Sequence, residues 1–238
     1  MILPKIKLIT FSNQCLEYSG LDTLEDCFDK EHFLKYPYKV EYKYNSRGFR
    51  GPEWPSDLTN VCWCVGDSFT AGLGSPFNHT WHYVLAEKSN IQTVNVSMDG
   101  ASNSWICRKT LDLLTIKPKN IIIQWSYIHR RETDNINDLD EVRRIYSINT
   151  TTEQDMQHII DCIDKVESNK EQTNIIHTFI PACVPESEKK HFNALIEKMD
   201  INVVLFDQVD RARDGHHYDI QTSSNLAEKL IQSKYINI

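Results

Sequence analysis

Val61-Cys62-Trp63-Cys64-Val65-Gly66-Asp67-Ser68-Phe69-Thr70-Ala71-Gly72 decides how the rest of the chain is read. Its apolar start, rich in Val, Cys and Trp, reads as a short buried strand, and Gly66-Asp67-Ser68 breaks the period where a helix can begin. Ser68 is thereby placed at the carboxyl end of a strand. In an open α/β sheet ligands collect at that end, and a helix start there offers unpaired N–H groups to developing negative charge. Taken alone, the run is equally a strand followed by an Asp or Ser helix cap.

The far end of the chain changes that balance. Asp214-Gly215-His216-His217 sets an acid and a histidine three positions apart, ahead of a segment with helical period, Thr222 to Lys234. A serine after the first strand and an Asp-x-x-His before the last helix are the parts of a nucleophile, base and orienting acid. Gly66-Asp67-Ser68 and Asp214-x-x-His217 resemble, in order and separation, the first and last motif blocks of the SGNH (GDSL) hydrolase superfamily. The resemblance covers roughly Val61 to Lys234. It implies a three-layer α/β/α sandwich around a five-stranded parallel sheet in the flavodoxin-like order 2-1-3-4-5. It also implies a serine esterase or acyltransferase acting on a small acyl ester or an acylated saccharide.

The 238 residues suit one domain, residues 61–238, with an N-terminal extension, residues 1–60, packed on it. A net charge of -7 argues against a nucleic-acid or membrane-surface partner, since both need a basic face. The start is too short and interrupted in its apolar run for a secretory signal, and no later stretch matches a membrane span, so a cytoplasmic protein is expected. Seven cysteines without CxxC spacing indicate neither a disulfide frame nor a zinc site. No GxGxxG, GKS/GKT or HExxH occurs, so neither cofactor nor metal is expected.

Strand and helix patterns then alternate. Helices are predicted over Thr80–Ser89, Ser104–Leu114, Gln154–Val166 and Glu186–Met199; strands over Gln92–Val96, Ile121–Trp125, Asn174–Ile180 and Asn202–Phe206. Continuous apolar strands separated by helices mean a parallel sheet covered on both faces. Residues 1–60 are less regular, with a strand expected at Ile6–Phe11, a helical stretch near Leu21–Leu34 and an extended tract over Tyr36–Tyr44. The turn-rich connector Asn45–Pro55 is expected to be pinned by Phe49 and Trp54, near the mouth of the site. Arg130–Thr152, dense in charge, is a surface insertion or a lid.

Ser68 is the candidate nucleophile, His217 the base and Asp214 its orienting acid. His216 is the rival base, but adjacent rings in a tight loop point opposite ways. For the oxyanion, the resemblance implies the backbone N–H of Ser68 and of a glycine that maps onto Gly100. The third donor is where the chain departs: the family pattern Gly-x-Asn-Asp is replaced by Gln124-Trp125-Ser126-Tyr127-Ile128-His129-Arg130-Arg131. The asparagine position falls on or near Ile128, which cannot donate. Ser126 and Tyr127 are the substitutes, ahead of His129. Asp67, Trp125, His129 and Arg130 are candidate substrate contacts, with core packing the competing reading for Trp125 and Tyr127. The Asn45-x-x-Gly48-Phe49-Arg50 lead-in and the altered third block are similar to SGNH-like proteins of tailed bacteriophages. That similarity implies a virion-associated or non-catalytic scaffold as the alternative role.

Overall fold

The computed structural model describes residues 6–8, 11–131, 145–146 and 150–236. The N-terminal part forms β1 (Cys15–Leu16), α1 (Lys30–Lys35) and β2 (Tyr42–Lys43), with β1 and β2 antiparallel. A regular alternation follows: β3 (Cys62–Gly66), α2 (Ser68–Ala71), α3 (Trp81–Ser89), β4 (Thr93–Ser97), α4 (Asn103–Leu114) and β5 (Asn120–Trp125). A short antiparallel ribbon, β6 (Arg130–Arg131) with β7 (Ile145–Tyr146), precedes α5 (Thr152–Glu167), β8 (Asn174–Phe179), α6 (Lys189–Ile196) and α7 (Ile220–Gln232).

The main sheet is parallel, in the order β4-β3-β5-β8. All of β3 and β5 is buried, as strands covered on both faces must be. The step from β3 to β4 runs one way across the sheet, and those from β4 to β5 and β5 to β8 run the other. Right-handed crossovers then place α3 on one face and α4 with α5 on the opposite one. The packing agrees: α4 lies against α5, and α3 against α7. Trp63, Trp81, Trp105 and Trp125 fill this core without exposed surface.

Among the described residues the main sheet has four strands, not the five expected. Asn202–Phe206 reaches β8 through a single parallel bridge, His177 to Val203, flanked by hydrogen bonds from His177 N–H to the Asn202 carbonyl and from Val204 N–H to the His177 carbonyl. Among the described residues no further main-chain bond joins Asn202–Phe206 to β8, and the Leu205 carbonyl accepts from the Lys229 ammonium.

The expected helix over Leu21–Leu34 is also cut down, to α1. Asp22 is fully buried and accepts from the Tyr42 hydroxyl and the Arg213 guanidinium, which holds its backbone out of helical register. Thr23 and Asp26 close a side-chain turn, and Asp29 caps α1 through the His32 N–H. Of the tract Tyr36–Tyr44, only Tyr42–Lys43 joins a strand. Ile6–Leu8 form no strand; the rest of that expected element lies partly outside the described residues, as does most of the insertion or lid at Arg130–Thr152.

Candidate active site

The turn from β3 into α2 is held by the side chain of Asp67, the N-cap, whose Oδ1 accepts from Phe69 N–H at 3.0 Å. Gly66 is required for close approach: a Cβ there would stand 2.1 Å from Thr70 Oγ1 and 3.1 Å from the Gln124 carbonyl oxygen. The result puts Ser68 at the first position of α2, at the carboxyl edge of the central strand.

The loop before α7 brings in its partners. Asp214 Oδ1 accepts from the backbone N–H groups of His216 and His217 at 2.9 and 3.0 Å, folding the loop around its own carboxylate. Asp214 Oδ2 then lies 2.5 Å from His217 Nδ1, and His217 Nε2 lies 2.8 Å from Ser68 Oγ, across 149 positions of sequence. With Nδ1–H donating to Asp214, Nε2 is left to accept the serine proton. Burial opposes charge on the His217 ring, yet the Asp214 carboxylate outweighs it and raises the imidazole above its ordinary value. Burial likewise opposes ionisation of Asp214, and the charge and hydrogen bond of His217 hold it below the usual carboxylate range.

His216 points the other way. Its ring stacks on Phe28 at 4.6 Å, and its Nε2 meets the Tyr127 hydroxyl at 2.9 Å. Burial and the His217 charge push it down to about 4, so it is neutral near pH 7 and engaged away from Ser68. As the rival base it is displaced by this geometry.

Gly100 adopts φ +70°, the left-handed region that favours glycine, in the turn after β4. Its backbone N–H and that of Ser68 donate to no other group among the described residues, which leaves two donors available at the edge of the sheet. The third-block residues are distributed differently from expectation. The Ser126 hydroxyl donates to Asp67 Oδ2 at 2.6 Å, so its one proton is spent and it is not an oxyanion donor. Asp67 is accordingly a structural carboxylate, not a substrate contact: it is fully buried and also accepts from Arg130 Nη1 at 3.0 Å. Arg130 braces that pair and lies 4.7 Å over the Tyr127 ring, so it does not form a free basic rim. Trp125 belongs to the core: its indole N–H donates to His177 Nδ1 and the two rings are parallel. His129 tilts against Tyr127 at 5.5 Å, and burial together with the Arg130 charge lowers its basicity. Ile128 is buried at the position where a donor was sought.

Two contributions were not legible in the sequence. The N-terminal extension walls the site: Phe28 N–H donates to the Asp214 carbonyl, His32 Nε2 meets the Ala212 carbonyl at 2.9 Å, and Asp22 pairs with Arg213. A lone Phe in a run of polar turns carries no signal of that role. Arg50 is the second. Its guanidinium, 2% exposed, donates to the carbonyls of Ala71, Gly72, Ser75 and Glu41, gripping the loop after α2. The connector around it is pinned as expected, Phe49 on Trp54 and Trp54 on Trp63, but Arg50 reaches the back of the nucleophile turn, not its mouth. Beside His216 opens a groove of about 680 Å³, lined among others by Phe28, Phe69, Tyr127, Arg211 and Gly215.

No family model matches the chain, and no curated protein matches it in sequence. Solved structures do match in fold. One is a lipolytic protein of the G-D-S-L family from Desulfitobacterium hafniense, with TM-score 0.51 and 19% identity, covering 73% of this chain and 99% of that one. A G-D-S-L family lipolytic protein from Veillonella parvula gives TM-score 0.50 at 13% identity, over 72% of this chain and 96% of that one. A family two carbohydrate esterase from Clostridium thermocellum, solved in complex with cellohexaose, gives TM-score 0.53 at 14% identity. That match covers 76% of this chain, which spans 65% of the esterase. The fold of this chain is therefore the one shared by the G-D-S-L lipolytic proteins and the family two carbohydrate esterases.

Proposed function

We propose that the chain is a serine esterase for small acyl esters, an O-acetyl group on a saccharide being the best fit, with residues 61–238 as the catalytic domain and residues 1–60 as its wall. The observation that carries this reading is the continuous line from Asp214 through His217 to Ser68 Oγ. Ser68 Oγ attacks the ester carbonyl carbon while His217 Nε2 takes its proton. Asp214 stabilises the imidazolium, and the N–H groups of Ser68 and Gly100 receive the charge on the carbonyl oxygen. His217 then returns the proton to the departing alcohol, and water, activated by the same ring, clears the acyl-enzyme. A sugar hydroxyl in place of water makes the same site an acyltransferase. Ser68 is only 2% exposed, which favours a short acyl chain, and the aromatic and polar lining of the adjoining groove suits a sugar ring. Tyr127, which lines that groove, and His129, packed against Tyr127, are the proposed contacts to the acylated alcohol, and Tyr127, whose hydroxyl also meets His216 Nε2, is the proposed third donor ahead of His129.

A fluorophosphonate probe is the direct test, because it reports an activated serine without knowledge of the substrate. Stoichiometric labelling at Ser68, slowed in His217→Ala, is the expected result; a folded protein that takes no label at Ser68 refutes the reading. One observation favours a second role, a catalytically weak scaffold: Ile128 stands where a donor was sought and the Ser126 proton is committed to Asp67. Loss of one oxyanion donor costs about 10²- to 10³-fold in rate. Labelling of Ser68 without turnover of p-nitrophenyl acetate or acetylated sugars would select that role.

The pH dependence separates the two histidines. The base acts only when neutral, and Asp214 raises His217, so the acid limb of kcat/KM is expected with its midpoint above 6.5, the ordinary histidine value. Activity is lost as pH falls through that midpoint. A limb near 4, where His216 titrates, would move the base to His216.

A further inference from the structure

Behind Ser68 and His217, one side-chain oxygen joins the two elements that carry them. Gln124 interrupts the apolar run of β5 and is fully buried. Its Oε1 accepts from the Thr70 hydroxyl at 2.9 Å and from the Tyr218 hydroxyl at 2.8 Å. Thr70 lies two positions after Ser68 on α2, and Tyr218 follows His217 in the loop before α7. Thr70 Oγ1 also receives the Trp81 indole N–H at 3.4 Å, which leaves its own proton for Gln124. Thr70 and Tyr218 are buried as well.

Both elements need such a tie. α2 is a single turn, Ser68–Ala71, and a helix of that length does not hold its geometry unaided. The Asp214 carboxylate folds the His217 loop on itself but sets no distance to α2. Two other hydrogen bonds link the neighbouring loops, from Arg213 N–H to the Gly74 carbonyl and from the Ser75 hydroxyl to the Tyr218 carbonyl, and both lie beyond the Gly72 that ends α2. Phe69 packs on His217 and Tyr218 with ring centres 4.4 and 5.2 Å apart, an apolar contact that tolerates sliding. Gln124 Oε1 adds a directional link to α2 itself, from the side of the sheet. The amide nitrogen of Gln124 has no hydrogen-bond partner among the described residues, a standing cost that an apolar residue of the same size would not carry. Gly66 makes room for the link, since a Cβ there would stand 2.1 Å from Thr70 Oγ1.

We infer that Gln124 is a positioning residue, which keeps Ser68 Oγ and His217 Nε2 at proton-transfer distance by fastening α2 and the His217 loop to one atom of the sheet. The inference rests on the esterase reading above. Gln124 acts through Thr70 and Tyr218. Nucleophile and base stand 2.8 Å apart, and a misplacement of about 1 Å costs about 10²-fold in rate.

The test is fluorophosphonate labelling of Ser68 in Gln124→Met, Tyr218→Phe and the double variant, with rates scaled to the folded fraction by circular dichroism. Gln124→Met should lower the maximal labelling rate about 10²-fold and leave the half-saturating probe concentration within about twofold of the parent's, because alignment is lost and binding is not. The pH midpoint of labelling should stay where it was, since burial and Asp214 set the basicity of His217. Tyr218→Phe should lose about tenfold, and less than about twofold more when added to Gln124→Met, because both cut the same link. Ile163→Ala, a core change on α5, should label at the parental rate and serves as the control for lost stability. A folded Gln124→Met with the parental rate, losses that multiply, or an equal loss in Ile163→Ala overturns the inference. Where Gln124→Met does not fold, a parental rate in Tyr218→Phe does the same. A parent protein that takes no label at Ser68 refutes the esterase reading itself, and this inference with it.

Discussion

Ser68→Ala is expected to lower kcat for p-nitrophenyl acetate hydrolysis by about a million-fold, to the level left by the oxyanion donors and binding alone. The change removes a single oxygen whose hydrogen-bond partner is His217 Nε2, and leaves the Asp67 cap on Phe69 N–H untouched. Circular dichroism and the denaturant midpoint should therefore be those of the parent protein. His217→Ala should cost as much, and the double variant little more, because nucleophile and base act as one unit. Asp214→Asn should cost about 10⁴-fold, since an amide facing Nδ1 favours the wrong tautomer. Those rates, measured on purified protein with a burst-phase control, check the assignment. A Ser68→Ala protein as active as its parent removes the site from consideration.

Arg50→Met is expected to be the most costly single change to stability outside the sheet, about 3–5 kcal/mol by urea denaturation. The guanidinium satisfies four main-chain carbonyls, those of Glu41, Ala71, Gly72 and Ser75, and lies 4.4 Å over the Tyr42 ring. Methionine fills much of the volume but removes the guanidinium donor from the Glu41, Ala71 and Ser75 oxygens and leaves Gly72 only the Ser75 N–H, and an unsatisfied buried polar group costs about 1–3 kcal/mol. Arg50→Lys should recover only part of the loss, because a compact ammonium cannot reproduce the planar fork that spans the loop. Activity should fall with stability, since three of the four carbonyls belong to the loop that ends α2 and follows Ser68. A midpoint unchanged in Arg50→Met, at constant m-value, would show that the loop holds itself.

The expectations that held rest on short-range rules. β3, the turn at Gly66-Asp67 and the start of α2 follow from an apolar run, a glycine and a capping acid within a dozen residues. The Asp214 loop follows from an acid that accepts the N–H groups two and three positions on. The helices α3, α4, α5 and α7 sit within a few residues of where their apolar period put them. The misplaced residues are those whose side chains had two environments to choose from. Trp125 and Ser126 end a strand at the site, and both turn inward, one to His177 and the other to Asp67, because each found a buried partner there.

By itself the sequence determined the local frames: a serine at a strand's carboxyl end, an acid and a histidine three positions apart, and an alternation that demands a parallel sheet. Those are matters of spacing along a few residues, where backbone geometry leaves little freedom. Only the tertiary structure decided that Asn202–Phe206 gives one bridge in place of a strand, that Phe28 lies on His216, and that Arg50 grips the loop behind Ser68. Each of these depends on partners distant in sequence: His177 for the bridge, His216 for a ring face, Arg50 for a set of oxygens. Such pairings are settled by which groups packing has already buried, and that information is spread over the whole chain.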